Sequence, residues 1–131
     1  MKSSKRTTGD ICETISVKHL VKHNLEVLDR NFRKKWGEID IVAKEVSRET
    51  PTIHFIEVKG MVTNENKGKD YMPEENVHRA KRQRLWRAIQ SWLLEHNIPE
   101  EAEWQVDVMA VFLDFGRKKA KIRWTKNIIL E

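Results

Sequence analysis

Three carboxylates stand where their neighbours read as the middle of a β-strand. Asp40 lies between Ile39 and Ile41, Glu57 between Ile56 and Val58, and Asp107 between Val106 and Val108. Burying an ionised carboxylate alone costs on the order of several kcal/mol, so each must be exposed, paired or bound to a cation. A solvent-facing position explains one such residue; three in so short a chain point to a shared site. Lys59 follows Glu57 by two residues, so both side chains leave one face of an extended strand, roughly 6–7 Å apart along the backbone. A carboxylate there can hold a hard divalent ion such as Mg²⁺, with Mn²⁺ as a substitute, beside water and substrate phosphate. An ammonium beside it can orient the attacking water or stabilise the charge of a phosphoryl transition state. Taken alone, Glu57-x-Lys59 is common and better explained by an ordinary same-face ion pair. Asp40, on the preceding strand, supplies the second carboxylate that favours a metal site.

The elements that must position these groups follow from periodicity and turn chemistry. Residues 10–23 read as a helix, with Ile11, Ile15, Leu20 and Val21 near helical spacing and Asp10-x-x-Glu13 as a capping box. Residues 26–32 form a short strand, Trp36-Gly37 a turn, and residues 38–43 a strand. In that strand Ile39, Ile41 and Ala43 face one way, and Glu38, Asp40 and Val42 the other. After a turn over 47–52, residues 53–59 give the strongest strand signal. Ile53, Phe55, Glu57 and Lys59 share one of its faces, and His54, Ile56 and Val58 share the other. Residues 60–72 read as a loop. A helix then runs from Pro73 to about His96, with Val77, Leu85, Ala88, Ile89, Trp92 and Leu93 as its apolar stripe. A strand over 104–113, a turn at 115–117 and a strand over 120–124 complete the order, with Ala120, Ile122 and Trp124 inward. Helix, three strands, helix and two strands predict an α/β fold with a mixed sheet covered by helices.

Lys81 interrupts the stripe of the second long helix, four residues after Val77 and four before Leu85. A lysine there either snorkels to water or points at an anion, and we expect a phosphate or a site carboxylate. His54 reads as structural, Cys12 as a small buried hydrophobe, and Trp86 and Trp92 as packing residues.

At 131 residues the chain suits one domain, taken as residues 9–131 behind a flexible tail of residues 1–8. The lone cysteine cannot bridge internally, no apolar signal core follows the N-terminus, and no apolar run nears the ~20 residues of a membrane span. These features predict a soluble, cytoplasmic protein with no membrane partner. The net charge of +5 is unevenly spread. Arg79, Lys81, Arg82, Arg84 and Arg87 form one acid-free block, and the stretch from Arg117 to Lys126 another. Both can track a phosphate backbone, or simply be the solvated faces of a helix and a strand.

The run Gly37-Glu38-Ile39-Asp40-Ile41-Val42-Ala43, followed by Phe55-Ile56-Glu57-Val58-Lys59, resembles the YraN-like family of predicted endonucleases. That family is placed in the PD-(D/E)XK, or restriction-endonuclease-like, superfamily. The resemblance spans Gly9 to Val111 and takes in Glu13, Asn31-Phe32-Arg33, Val77, Lys81 and Asp107. More distantly, the chain resembles archaeal Holliday-junction resolvases. The resemblance implies a restriction-endonuclease-like αβββαβ core, here with an extra C-terminal strand. It implies Asp40, Glu57 and Lys59 as the catalytic set and Glu13 as a further metal-side carboxylate. It also implies a Mg²⁺-dependent endonuclease acting on DNA, branched or junction DNA included, and, by analogy with resolvases, a homodimer. Glu38 flanks the site as an accessory acid, and Asp107 matches an acid of unassigned role, with a structural pairing to Lys81 as the simpler account. Arg79, Lys81, Arg82 and Arg84, with Lys67 and Lys69 in the loop, are expected to contact the nucleic acid. The chain departs from the family pattern at Cys12, Gly60-Met61 and Gln105-Val106. Two other readings stand beside the enzyme: a nucleic-acid-binding domain of nuclease fold with little or no activity, and an adaptor whose basic blocks serve solubility.

Overall fold

A computed structural model describes residues 4–46, 49–63 and 79–130, with only the backbone of residues 4–7. The chain is a mixed α/β fold in which two helices cover a five-stranded sheet. Helix α1 (Ser4–Lys22) leads into strands β1 (Leu25–Lys34), β2 (Gly37–Glu45) and β3 (Ile53–Val62). Short connections make these three strands antiparallel neighbours. Helix α2 (Arg79–Glu95) carries the chain back, so β4 (Trp104–Asp114) runs parallel to β3, and β5 (Lys119–Ile128) returns antiparallel as the far edge. The spatial order is β1-β2-β3-β4-β5.

Alternation along β3 assigns the two faces. Ile53 and Phe55 pack with Leu85, Ala88, Ile89 and Trp92 of α2. Ile56 turns the other way and packs with Leu20 of α1, Ile41, Ala43 and Met109. The parallel pair β3–β4 is covered on both faces, which is why its sequences read as nearly continuous apolar runs. Each fully buried large side chain there stabilises the fold by about 1.5–3 kcal/mol. Two glycines let the helices sit close. A Cβ at Gly37 would fall 2.0 Å from the Arg84 carbonyl oxygen, and one at Gly60 would fall 2.4 Å from Cys12 Sγ. The first contact is with backbone, which cannot move aside, so β2 starts directly beneath α2 only because residue 37 has no side chain.

Several boundaries differ from the sequence reading. Helix α1 begins at Ser4, so residues 4–8 are helical rather than tail, and Asp10 lies within the helix, where it cannot be an N-cap. After Met1 no large apolar residue occurs before Ile11, so periodicity gave no hint of those first turns. Strand β1 extends to Lys34, and β3 continues through Gly60, Met61 and Val62, because β4 supplies partners Val111, Phe112 and Leu113 for them. The expected loop therefore loses its first residues to β3, and residues 64–72 of it lie outside the described residues, as do residues 73–78 of the expected helix. Strand β2 breaks the expected alternation: Ile39 and Val42 join the α2 side, whereas Ile41 and Ala43 join the α1 side. On β5 Ile122 and Trp124 pack inward, but Ala120 is exposed. Among the described residues no helix is long and apolar enough to cross a membrane.

Candidate active site

The site grows from a fork between β2 and β3. Their paired register runs from Lys44↔Ile53 to Ile41↔Ile56 and stops there. Beyond that point β2 stays with β1, while β3 stays with β4. The next inward-pointing donor of β3, the Val58 N–H, would be orphaned at the opening. It donates instead to Asp40 Oδ2 at 2.7 Å. Asp40 thus reaches across the gap and replaces a lost ladder bond with a charge-assisted one. The neighbouring strand is irregular at the same level: Asn31 adopts a left-handed φ of 54°, between Arg30↔Ile41 and Phe32↔Ile39.

Glu57, 6% exposed, stands on β3 at the same opening. Two ammonium groups converge on one of its oxygens: Lys81 Nζ lies 2.6 Å and Lys59 Nζ 3.3 Å from Oε1. Lys81 comes from α2, so the residue that interrupts the apolar stripe closes over the fork. Burial lowers the Lys59 pKa, and the nearby Lys81 lowers it further, against the opposing pull of Glu57. For Lys81 burial also pulls down, but hydrogen bonding and attraction from Glu57 outweigh it and the net shift is upward. The charge of Lys81 is therefore held more firmly than that of Lys59.

Residues 12–111 match the family described as Uncharacterised protein family UPF0102. The chain belongs to that family. A UPF0102 protein of Vibrio parahaemolyticus is 34% identical over 128 residues, 98% of this chain and 96% of the relative. One from Roseiflexus castenholzii is 32% identical over 123 residues, covering 93% and 92%. One from Caldicellulosiruptor bescii is 31% identical over 122 residues, covering 93% and 96%. This UPF0102 membership agrees with the YraN-like resemblance of the two strand motifs, which lie inside the matched span.

Asp40 is under strong electrostatic tension in this UPF0102 chain. Burial, then Glu57, with smaller contributions from Glu38 and Glu13, push its pKa from 3.8 up to about 7, against the stabilising Val58 N–H. A carboxyl whose folded pKa exceeds its unfolded one favours folding while protonated. Stability is therefore fully present below pH 4 and declines as pH rises through 7. Asp40→Asn keeps an acceptor for Val58 and removes the titration. The variant is expected to unfold at higher denaturant than wild type at pH 8, by about 2–4 kcal/mol, and to differ little at pH 4. Urea unfolding at both pH values measures this, and equal gaps at the two would refute the assignment.

The other expected site residues divide. Glu13 is tied to β1: its Oε1 accepts from Arg30 Nε at 2.9 Å and Asn31 Nδ2 at 2.8 Å. Its acid is the last of those acting on Asp40, and no group of three or more His, Cys, Asp or Glu suited to a metal occurs among the described residues. The structure thus brings together Asp40, Glu57, Lys59 and Lys81, and Glu13 acts on Asp40 while bonded to Arg30 and Asn31. Glu38 is exposed and lies 3.7 Å from Arg33 Nε, a surface ion pair worth little.

Asp107 belongs elsewhere, and its partner is not Lys81. It pairs with Ile56 in the β3–β4 register, on the α1 face, where it is fully buried. It accepts hydrogen bonds from His54 Nδ1 at 2.6 Å, Gln105 Nε2 at 2.8 Å, Trp124 Nε1 at 2.9 Å and the Asn127 N–H at 2.9 Å. His54, read from the sequence as structural, is its ion-pair partner and also meets Glu45 at 3.2 Å.

Lys67 and Lys69 lie outside the described residues. Arg79 and Arg84 are exposed and Arg82 is half-buried. The sequence reading missed two features. The Val58 N–H could have been found only from strand register. Trp86, taken as a packing residue, is 46% exposed, whereas Trp92 is 1% exposed.

Proposed function

We propose that this UPF0102 protein is a metal-dependent endonuclease that hydrolyses phosphodiester bonds in DNA, on a restriction-endonuclease-like core. The element order αβββαβ followed by one more strand supports that core. The observation that carries the reading is the meeting of Asp40 and Glu57 at the strand fork with Lys59 beside them.

The residues present fit a divalent cation. Asp40 is held protonated to about pH 7 because neighbouring acids and burial leave it short of positive charge, the deficit a cation would fill. Asp40 and Glu57 would hold Mg²⁺ or Mn²⁺, and two carboxylates suffice for a hard ion that keeps water and phosphate among its ligands. Such an ion would supply Lewis-acid polarisation of the phosphodiester. Lys59, its pKa lowered by burial and by Lys81, would hydrogen-bond and orient the water that attacks phosphorus. Lys81 holds Glu57 in place and presents its positive charge toward the developing phosphorane. The Val58 N–H fixes the Asp40 carboxylate so that it does not turn from the opening.

A second reading has its own support. The Lys81 ammonium, 2.6 Å from Glu57 Oε1, stands where a cation would stand, which suits a nucleic-acid-binding domain that cuts poorly. A panel of single-stranded, duplex, flap and four-way-junction DNA with Mg²⁺ or Mn²⁺ separates the two. The enzyme reading expects cleavage of at least one substrate, lost with the ion and lost in Asp40→Ala. Binding that survives Asp40→Ala, with no cut by wild type in either metal, selects the second reading.

A further inference from the structure

Two tryptophans at the surface of α2 and the β1–β2 turn have no role in the site described above. Trp36 is 44% and Trp86 46% exposed. They wall a shallow groove of about 450 Å³ completed by Arg87, Gln90 and Ser91. Neither ring is loose. Trp36 Nε1 donates to Ser91 Oγ at 2.8 Å, and Trp86 leans on Trp104 with ring centroids 5.7 Å apart. Gly37, packed on the Arg84 carbonyl, ties the Trp36 turn to the same helix. The helix around them is one-signed: from Arg79 to Leu94 it carries no acid. Among the described residues, the guanidinium groups of Arg79, Arg82, Arg84 and Arg87 make no hydrogen bond or ion pair. Rigid aromatic faces among unneutralised cations suit a polyanion that can offer flat apolar rings. A second copy of this face would set like charges against each other, and paired bases within a duplex already cover their own ring faces.

We propose that the Trp36–Trp86 groove stacks unpaired bases of a DNA strand whose backbone is held by Arg82 and Arg87. This rests on the nuclease reading for the identity of the ligand and refines it, because it selects DNA with a single-stranded segment. Trp86 lies five residues beyond Lys81, roughly 7–8 Å along the helix axis and about 140° around it, so a strand held at the groove would have to cross α2 to reach the fork.

Fluorescence anisotropy in EDTA tests this without cleavage, using a labelled 20-nucleotide oligothymidylate and a blunt 20-base-pair duplex. Trp36→Ala and Trp86→Ala are each expected to weaken oligothymidylate binding about tenfold while leaving duplex binding within about twofold. Trp86→Phe, which keeps a ring, recovers most of the loss. No binding of the oligonucleotide by wild type, equal losses on both ligands, or no loss on either overturns the proposal. A fall in sedimenting mass caused by the alanine variants overturns it as well, since the face would then join two copies of the chain. The nuclease reading fails separately: a wild type that cuts nothing yet shows the tryptophan-dependent preference keeps the stacking site and loses the enzyme.

Discussion

Glu57→Gln is expected to lower DNA cleavage by about a thousandfold or more while leaving the fold intact. The substitution preserves the shape of the side chain, and the amide oxygen still accepts from Lys81 and Lys59, which now meet at Oε1. What disappears is the negative charge that makes this position a cation ligand. The residue is also almost fully buried, so water cannot replace that charge. Lys59→Met tests the other half of the arrangement and is expected to cost about a hundredfold, with metal binding retained. Lys81→Met removes a holding contact rather than a reacting group, and about tenfold is expected. Single-turnover cleavage of the best substrate from the panel measures all three. Equal rates in wild type and Glu57→Gln would mean that the activity belongs to something other than this site.

The largest stability loss is expected at Asp107, on the opposite face. Asp107→Ala removes the acceptor for four donors at once and leaves His54 facing Glu45 alone. Breaking a buried, fully bonded ion pair costs about 3–5 kcal/mol, a large share of the stability of a domain this size. Asp107→Asn keeps one acceptor oxygen and is expected to cost less, about 1–3 kcal/mol. The pH dependence identifies the pair. Burial raises the Asp107 pKa, but the bonds from His54, Asn127, Gln105 and Trp124 outweigh it, so the pKa falls below 3.8. Its contribution is present above 3.8 and lost as pH falls through the depressed value. Burial lowers the His54 pKa, but Asp107 and Glu45 outweigh it, so the pKa rises above 6.5. Its contribution is present below 6.5 and lost as pH rises through the elevated value. Both are in force between those limits, so the gap between wild type and Asp107→Ala is expected to be widest there. Urea unfolding across pH measures it, and a gap independent of pH would mean that packing rather than charge holds the residue.

How much of this was legible from the chain follows from what each inference needed. Asp40, Glu57 and Lys59 needed only a period of two and the cost of burying charge, and all three meet at the fork. Lys81 needed only its place in an apolar stripe. Glu13 needed a contact between elements that periodicity does not contain, its bonds to Arg30 and Asn31 of β1. Asp107 needed the β3–β4 register, which sets it beside Ile56 and hence on the His54 face. Trp86 and Trp92 occupy one helix with similar local sequence. Trp92 continues the Leu85, Ala88 and Ile89 stripe and is buried, whereas Trp86 lies off it and is exposed, so helical period separates the two.

The borders of the sheet limit how two copies of this protein can meet. One border, β5, carries exposed Lys119, Lys121 and Lys126. The other, β1, is interrupted by a register shift between Val27 and Asp29 and by the backbone turn at Asn31. Ammonium groups repel an incoming chain at the first, and broken spacing denies it a template at the second. Strand-to-strand pairing between copies is thereby discouraged at both borders.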